Sequence, residues 1–368
     1  MASLAEIDWC DTPLVAPTRN TEVEREIRKH LGVSQNSTAY LAPVPWVAWT
    51  LTTNMPPVAH ISNRLTDLIG LIVSMENSCR HCYGATRSIL RLTGYSEKRI
   101  SQLEEDLYQS DLDERTLTAL AFARKCARSD PRPDARDLAE LAEVGYSRMA
   151  IAEVAYVATS ACYSNRLATI LAIPPDDIED LEKNPLARLF RPVIRVVFNA
   201  LDARAKQRNR KRFPPGAIQA CAPKLGGKLI EALRESPTAP MLARILEDCW
   251  QSPHLSRRTK ALTFVVVAQA LNCPLCTLEG RQLMELEGWR QEDIDHLLTY
   301  LSSDQLTPFE SRFIHFARDT VNYKVPDIQY TARRFLADLK KEEIIEACGL
   351  VSLANWVARL SIILEQDR

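Results

Sequence analysis

Shifted by 194 residues, this chain of 368 residues falls on itself: Cys79 and Cys82 land on Cys273 and Cys276, His60 on His254, and Gly94 on Gly288. Leu112 lands on Leu306, and Phe122-Ala123-Arg124 lands on Phe316-Ala317-Arg318. At a shift of 193 the register continues, with Glu153 on Glu346 and Arg166-Leu167 on Arg359-Leu360. A period this long marks a duplicated domain, because solenoid units repeat every ~20–50 residues. The length is that of about two domains, and 46% apolar with 25% charged residues supplies enough material for two cores. Residues 1–175 read as a first unit, 176–215 as a connector and 216–368 as a second unit. Pro174-Pro175-Asp176-Asp177 closes the first, and Pro214-Pro215-Gly216 opens the second.

The pattern inside each unit is helical. Only 11 glycines are present, and Leu117, Leu120, Ala121, Arg124 and again Phe313, Phe316, Ala317, Thr320 recur at three- and four-residue spacing. Thr307-Pro308-Phe309-Glu310 is a capping box with proline at the first helical position, and Asp113 stands at the equivalent place in the first copy. Gly94-Tyr95-Ser96 and Gly145-Tyr146-Ser147 each supply a glycine to end one helix and a serine to cap the next. No β-hairpin signal stands out, so the expected fold class is all-α.

A net charge of −1 gives no field for nucleic acid, and no such partner is expected. The opening MASLAEIDWCDTP lacks a basic stretch followed by an apolar core, so no secretory signal is read and the expected compartment is the cytoplasm. The longest apolar run is taken as Ala261 to Cys273, short of the ~20 residues that span a bilayer, so no transmembrane segment is expected. In the connector, Leu186, Leu189, Phe190, Val193, Val196, Val197 and Leu201 lead into Arg204, Lys206, Arg208, Arg210, Lys211 and Arg212. Such a helix suits an anionic membrane surface. The plainer reading, a linker helix packed on one or both units, is favoured.

Ten cysteines in a reducing compartment are not a disulfide framework, so the close pairs are the ones to explain. Pro274, inside Cys273-Pro274-Leu275-Cys276, is barred from a helix interior but welcome in a first turn. The pair therefore opens a helix, with Asn77-Ser78 and Asn272 as cap-type residues before it and Gly94 and Gly288 just beyond its end. A helix N-terminus lowers a thiol pKa and so raises the fraction of nucleophilic thiolate. Two thiols in one first turn also close a small disulfide, which permits peroxide reduction followed by resolution. Cys126, Cys162, Cys249 and Cys348 fall on apolar stretches and read as small core residues.

The first copy adds groups that handle protons. His81 stands between the cysteines, Glu76 precedes Cys79 by three residues, and Asp67 precedes it by twelve on an apolar helix from Leu65 to Met75. A carboxylate buried near a thiol has its pKa raised towards neutrality and is a candidate general acid or base. The plainer reading makes each an exposed or capping carboxylate, and turns His81 to solvent.

From Leu65 to Gly94, an acid twelve positions before Cys-x-His-Cys and a helix ending in glycine resemble the alkylhydroperoxidase D branch of the carboxymuconolactone decarboxylase superfamily. The resemblance covers most of both copies. It implies two tandem all-α helical domains forming an intramolecular pseudo-dimer, from a family that usually oligomerises. By position it implies that Asp67 takes the place of the relay glutamate, Cys79 of the resolving cysteine, His81 of the first histidine and Cys82 of the peroxide-attacking cysteine. The last relay histidine is replaced by Thr86, and Glu76 or His60 is the candidate substitute. In the second copy Ala261, Leu275 and Gly280 replace the acid and both histidines, so Cys273 and Cys276 are a secondary site at most and that unit is expected to be mainly structural.

The expected activity is a peroxidase or disulfide oxidoreductase that reduces a hydroperoxide through a Cys79–Cys82 cycle. A dithiol or thioredoxin-like partner would be the reductant, with no cofactor or metal and a homo-oligomeric state. Three other readings stand beside it: a four-thiolate zinc site, disfavoured because both pairs open long apolar helices; lyase chemistry, which lacks the acid and histidine groups it needs; and a non-catalytic helical scaffold with vestigial motifs.

Overall fold

A computed structural model describes residues 4, 7–19, 21–31, 35–52, 57–128, 131–175, 191–216 and 225–365. Every regular element among them is a helix, as expected from the sequence. Helices α1 (Glu22–Leu31), α2 (Asn36–Leu41) and α3 (Pro45–Thr52) precede the first cysteine hairpin, α4 (Asn63–Glu76) and α5 (Arg80–Thr93). Then come α6 (Glu97–Glu105), α7 (Glu114–Ala127), α8 (Ala135–Glu143) and the long α9 (Arg148–Ile170). The connector carries α10 (Arg191–Arg212). Beyond it lie α11 (Gly227–Ala232), α12 (Thr238–Gln251), α13 (Arg257–Ala270), α14 (Pro274–Leu286), α15 (Gln291–Tyr300), α16 (Pro308–Asp319), α17 (Val325–Leu336) and α18 (Lys341–Glu365).

The duplication is visible in these bounds. The shift that superposes the cysteine pairs carries α4 onto α13 at both ends, and carries the starts of α5, α6 and α7 onto those of α14, α15 and α16. The caps were legible too. Thr307 and Glu310 form the capping box of α16, Asp113 caps α7, Ser96 caps α6 and Ser147 caps α9. Gly94 takes φ 109° and Gly145 φ 86°, left-handed positions that only glycine holds without strain.

Equivalent helices of the two halves pack on one another. The largely buried α9 and α18 lie together, and α3 meets α12. Tyr163 and Trp356 occupy equivalent places in the two copies and meet with ring centroids 5.8 Å apart, while Tyr156 meets the same indole edge-on at 5.3 Å. At Gly349 an added Cβ would lie 2.7 Å from the Val47 side chain, so the missing side chain lets α3 seat on α18. The apolar residues of both halves form one continuous core rather than two, because the most apolar helix of each copy is spent on the other copy.

Arg166 and Arg359 tie the same junction. Arg166 donates to the carbonyls of Thr320 (3.0 Å) and Val321 (3.2 Å) at the end of α16, while Arg359 donates to those of Ala127 (3.1 Å) and Arg128 (2.8 Å) at the end of α7. These acceptors stand at the C-terminal ends of equivalent helices in the duplication, α16 and α7. Each arginine caps the other half's equivalent helix, where orphan carbonyls and the dipole favour a cation.

The connector's first part, residues 176–190 with Leu186, Leu189 and Phe190, lies outside the described residues. Helix α10 packs on α1 and α5. Arg208 donates to the carbonyls of Lys29 and His30 at the end of α1, Arg210 donates to that of Val58, and Arg212 lies 5.0 Å over the Trp49 ring. Its basic end is thus engaged with the first half, as in the plainer reading. The apolar length of α18 exceeds the run from Ala261 to Cys273: Lys341–Glu365 is long and apolar enough to cross a bilayer, and that apolar window is wholly buried within the fold.

Candidate functional site

Both cysteine pairs open a helix, as their sequence required, but the caps differ from expectation. The cap of α5 is Cys79 itself (φ −90°, ψ 100°), and the cap of α14 is Cys273 (φ −98°, ψ 100°). Ser78 and Asn272, expected as caps, instead take φ 51° and turn the chain between hairpin helices. The backbone pattern repeats to the atom, with the Cys79 amide on the Ser74 carbonyl and the Cys273 amide on that of Ala268, both at 2.9 Å.

The Cys79 sulfur is fully buried and accepts the Cys82 amide at 3.4 Å, whereas Cys82 is partly exposed. Burial pushes the Cys79 thiol up, but hydrogen bonds from Cys82, chiefly its side chain and amide, outweigh it and hold the pKa below the ordinary thiol value. The pair divides its labour: a sheltered sulfur that favours the thiolate, and an accessible one beside it. His81 is not turned to solvent. It is buried, and its Nδ1 lies 2.8 Å from the Pro174 carbonyl, which makes that nitrogen a donor.

The remaining first-copy candidates are not gathered at the sulfurs. Glu76 is held by Arg128 (Nε 2.6 Å, a second nitrogen at 3.2 Å), with Arg124 3.8 Å away. Thr86 donates its hydroxyl to the Cys82 carbonyl at 2.8 Å, so it ties backbone rather than sulfur. Asp67 lies on α4, one turn before Gly70, where an added Cβ would stand 3.4 Å from the Thr86 side chain. Nine residues separate it from Glu76, ~13 Å along the axis, so it sits away from the helix end that leads to Cys79. The exposed His60 precedes α4, whose 14 residues put it ~21 Å along the axis from the cysteine turn. Its amide (2.7 Å), with those of Ala59 (2.8 Å) and Ile61 (3.2 Å), serves the buried Glu153 carboxylate, which also accepts the Ser236 hydroxyl of the second half. Glu346, at the equivalent place, instead pairs with the buried Lys260 at 2.9 Å.

In the second copy both sulfurs are buried. The Cys276 side chain is the first cause holding the Cys273 thiol low, and burial opposes it; the Cys276 thiol is pushed well up by that same bond and by burial. The relay-histidine position is sterically closed, since a Cβ on Gly280 would lie 2.9 Å from the Val265 backbone. One carboxylate does reach this copy. Glu279, one turn after Cys276, is nearly buried, accepts the Gly226 amide at 2.8 Å and has its pKa raised by burial. Sequence reading passed over it because Ala85 fills that place in the first copy. Cys126, Cys162, Cys249 and Cys348 are all buried, and burial pushes the thiols of Cys126, Cys249 and Cys348 up, as suits core residues.

Each cysteine turn is also touched by the other half. Arg132 donates to the carbonyls of Leu271 (3.1 Å) and Asn272 (3.4 Å) before the second cysteine pair, and the loop after α16 brings the Tyr323 ring under Arg166 of α9, 5.5 Å from its centroid. No group of three or more His, Cys, Asp or Glu gathers as a metal-holding set among the described residues. Compared with known proteins, the chain matches no family model and no curated protein.

Proposed function

We propose that the chain is a thiol-dependent peroxidase or disulfide oxidoreductase working through Cys79 and Cys82. It would resemble the alkylhydroperoxidase D branch, with its second copy completing an intramolecular pseudo-dimer. The observation that carries this reading is the pairing of a buried sulfur favouring the thiolate with a partly exposed sulfur on the same helix turn. Cys79 then supplies the base that the missing relay histidine would have been. Cys82 passes its proton to the Cys79 thiolate and attacks the outer peroxide oxygen. The O–O bond breaks, and the departing alkoxide takes that proton from Cys79 to leave as an alcohol, with Cys82 as a sulfenic acid. The regenerated Cys79 thiolate attacks the Cys82 sulfur, forms the disulfide and expels hydroxide, which a solvent proton turns into water. Two electrons have passed to the hydroperoxide, and a dithiol or thioredoxin-like partner returns them. Cytoplasmic location and assembly into a homo-oligomer belong to the same reading.

The test is mass spectrometry after a small organic hydroperoxide is added to the reduced chain. The expected product is one Cys79–Cys82 disulfide. Cys79→Ser, which removes both the base and the resolving sulfur, should form its Cys82 sulfenic acid slowly and stop there, trapped by a dimedone-type reagent, and Cys82→Ser should leave Cys79 unmodified. A chain in which neither sulfur changes is the scaffold rather than the enzyme.

A further inference from the structure

A cleft of about 410 Å³ opens where α3, α12 and the end of α10 meet, within the roughly 300–1,000 Å³ of small-molecule sites. Its walls follow from helical spacing. Trp46, Trp49 and Thr50 on α3, and Met241, Ile245 and Asp248 on α12, recur at three- and four-residue spacing, so each helix turns one face to the cleft. The third side comes from the connector, which occurs once in the chain: Arg212, the last residue of α10, and Phe213 just beyond it. No lining residue belongs to either cysteine hairpin, so the cleft is a separate place from the dithiols.

The cleft joins an apolar, aromatic body to a cation at its rim. Trp49 is held by His30, edge-on with ring centroids 5.7 Å apart, and His30 Nε2 in turn lies 2.8 Å from Asn209 Oδ1 of α10. Arg212 lies 5.0 Å over the Trp49 ring and 5.4 Å from the Phe213 ring centroid. A guanidinium stacked on rings keeps its in-plane N–H donors turned outward, where they suit a bidentate carboxylate. Arg212 is exposed, and among the described residues no carboxylate pairs with it. The other arginine of the rim, Arg244, is already paired with Asp248 at 2.8 Å. One uncompensated positive charge therefore matches a monoanion, and the Asp248 carboxylate on the same rim disfavours a dianion such as a phosphate ester. We propose that this cleft binds a small aromatic carboxylate, its rings against Trp49, Met241 and Ile245 and its carboxylate on Arg212. Because the walls come from both halves and from the connector, the bound acid ties all three together.

The experiment is calorimetric titration of the full chain with naphthoate, which carries one carboxylate on two fused rings. The expected result is saturation at one molecule per chain, with a thermal midpoint that rises as naphthoate is added. Neutral naphthamide should bind at least about ten-fold more weakly, and so should naphthoate to Arg212→Met, because each change removes the charge-assisted pair while keeping the apolar contact. Trp49→Ala should weaken naphthoate by about ten-fold, and Trp49→Phe, which keeps a ring, by no more than about three-fold. Arg334→Met, at an exposed arginine over Phe335 on α17, should change nothing. Should Trp49→Ala fail to fold, Arg212→Met, at an exposed position, decides alone. Absence of saturation, an unchanged affinity in Arg212→Met, or an amide that binds as tightly as the acid overturns the proposal. Tighter binding of naphthyl phosphate than of naphthoate overturns the assignment of a monoanion.

Discussion

Arg166 and Arg359, at the same place in the two halves, both donate to the carbonyl of Val321, at 3.2 Å and 2.9 Å. One acceptor thus serves two buried guanidinium groups that also repel each other, and burial together with the Arg166 charge pushes the Arg359 pKa down. Substituting either arginine by Met strips carbonyls of their donor but leaves Val321 served and relieves the repulsion. Each single change should cost roughly 2–3 kcal/mol in urea unfolding. The double change should cost more than their sum, by about 1 kcal/mol, because only then is Val321 abandoned and no further repulsion is relieved. A strictly additive cycle would show that the two arginines do not share a site.

Stability should depend on pH through Cys79. Its folded pKa lies below the unfolded thiol value, so the unfolded chain binds more protons between the two and the fold gains stability as pH rises through that window. The contribution is complete above the ordinary thiol pKa and lost as pH falls through the depressed one. The buried thiols of Cys126, Cys249 and Cys348, pushed up, work in the opposite sense. The difference in unfolding free energy between the chain and Cys79→Ser should therefore grow from neutral to mildly alkaline pH. A flat difference would contradict a thiolate at this position.

The two cysteine hairpins should answer differently to an added methyl group. Gly280→Ala drives a Cβ to 2.9 Å from the Val265 backbone, which cannot give way as a side-chain tip would, and should cost roughly 1–3 kcal/mol. Gly70→Ala places its Cβ 3.4 Å from a Thr86 methyl, an ordinary contact, and should be neutral or gain up to about 1 kcal/mol from helix propensity. Thermal unfolding of the two variants side by side measures the contrast.

Glu76→Gln separates proton chemistry from support. With its carboxylate held by Arg128 and Arg124, the change should cost about 1 kcal/mol of stability and leave the Cys79 titration curve in place. A displaced curve would return Glu76 to the proton path.

The local script of the chain was legible residue by residue. Pro274 could only open a helix, Thr307 and Glu310 could only cap one, and the register between the copies set which helices would match. These are short-range facts, governed by backbone sterics and the orphan amides of a first turn, and sequence carries them directly. The candidate site was legible only in part. Cys79, His81 and Cys82 share one helix turn because they are neighbours in sequence. The surroundings of Glu76 and His60 were not legible, because proximity in sequence says nothing of a partner such as Arg128, 52 residues on, or of which end of a helix a loop serves.

The junction between the copies belonged to tertiary structure alone. That α9 and α18 would bury each other, merging two expected cores into one, and that Arg132 of the first half would reach the cysteine turn of the second, follow from which faces meet. Periodicity shows that a face is apolar but is blind to its partner, because hydrophobic burial has no direction. Sequence alone settled that the chain is helical and that each cysteine pair opens a helix, while local geometry chose the sulfur-bearing residues as caps and packing across the junction decided which sulfur is sheltered and how the two copies meet.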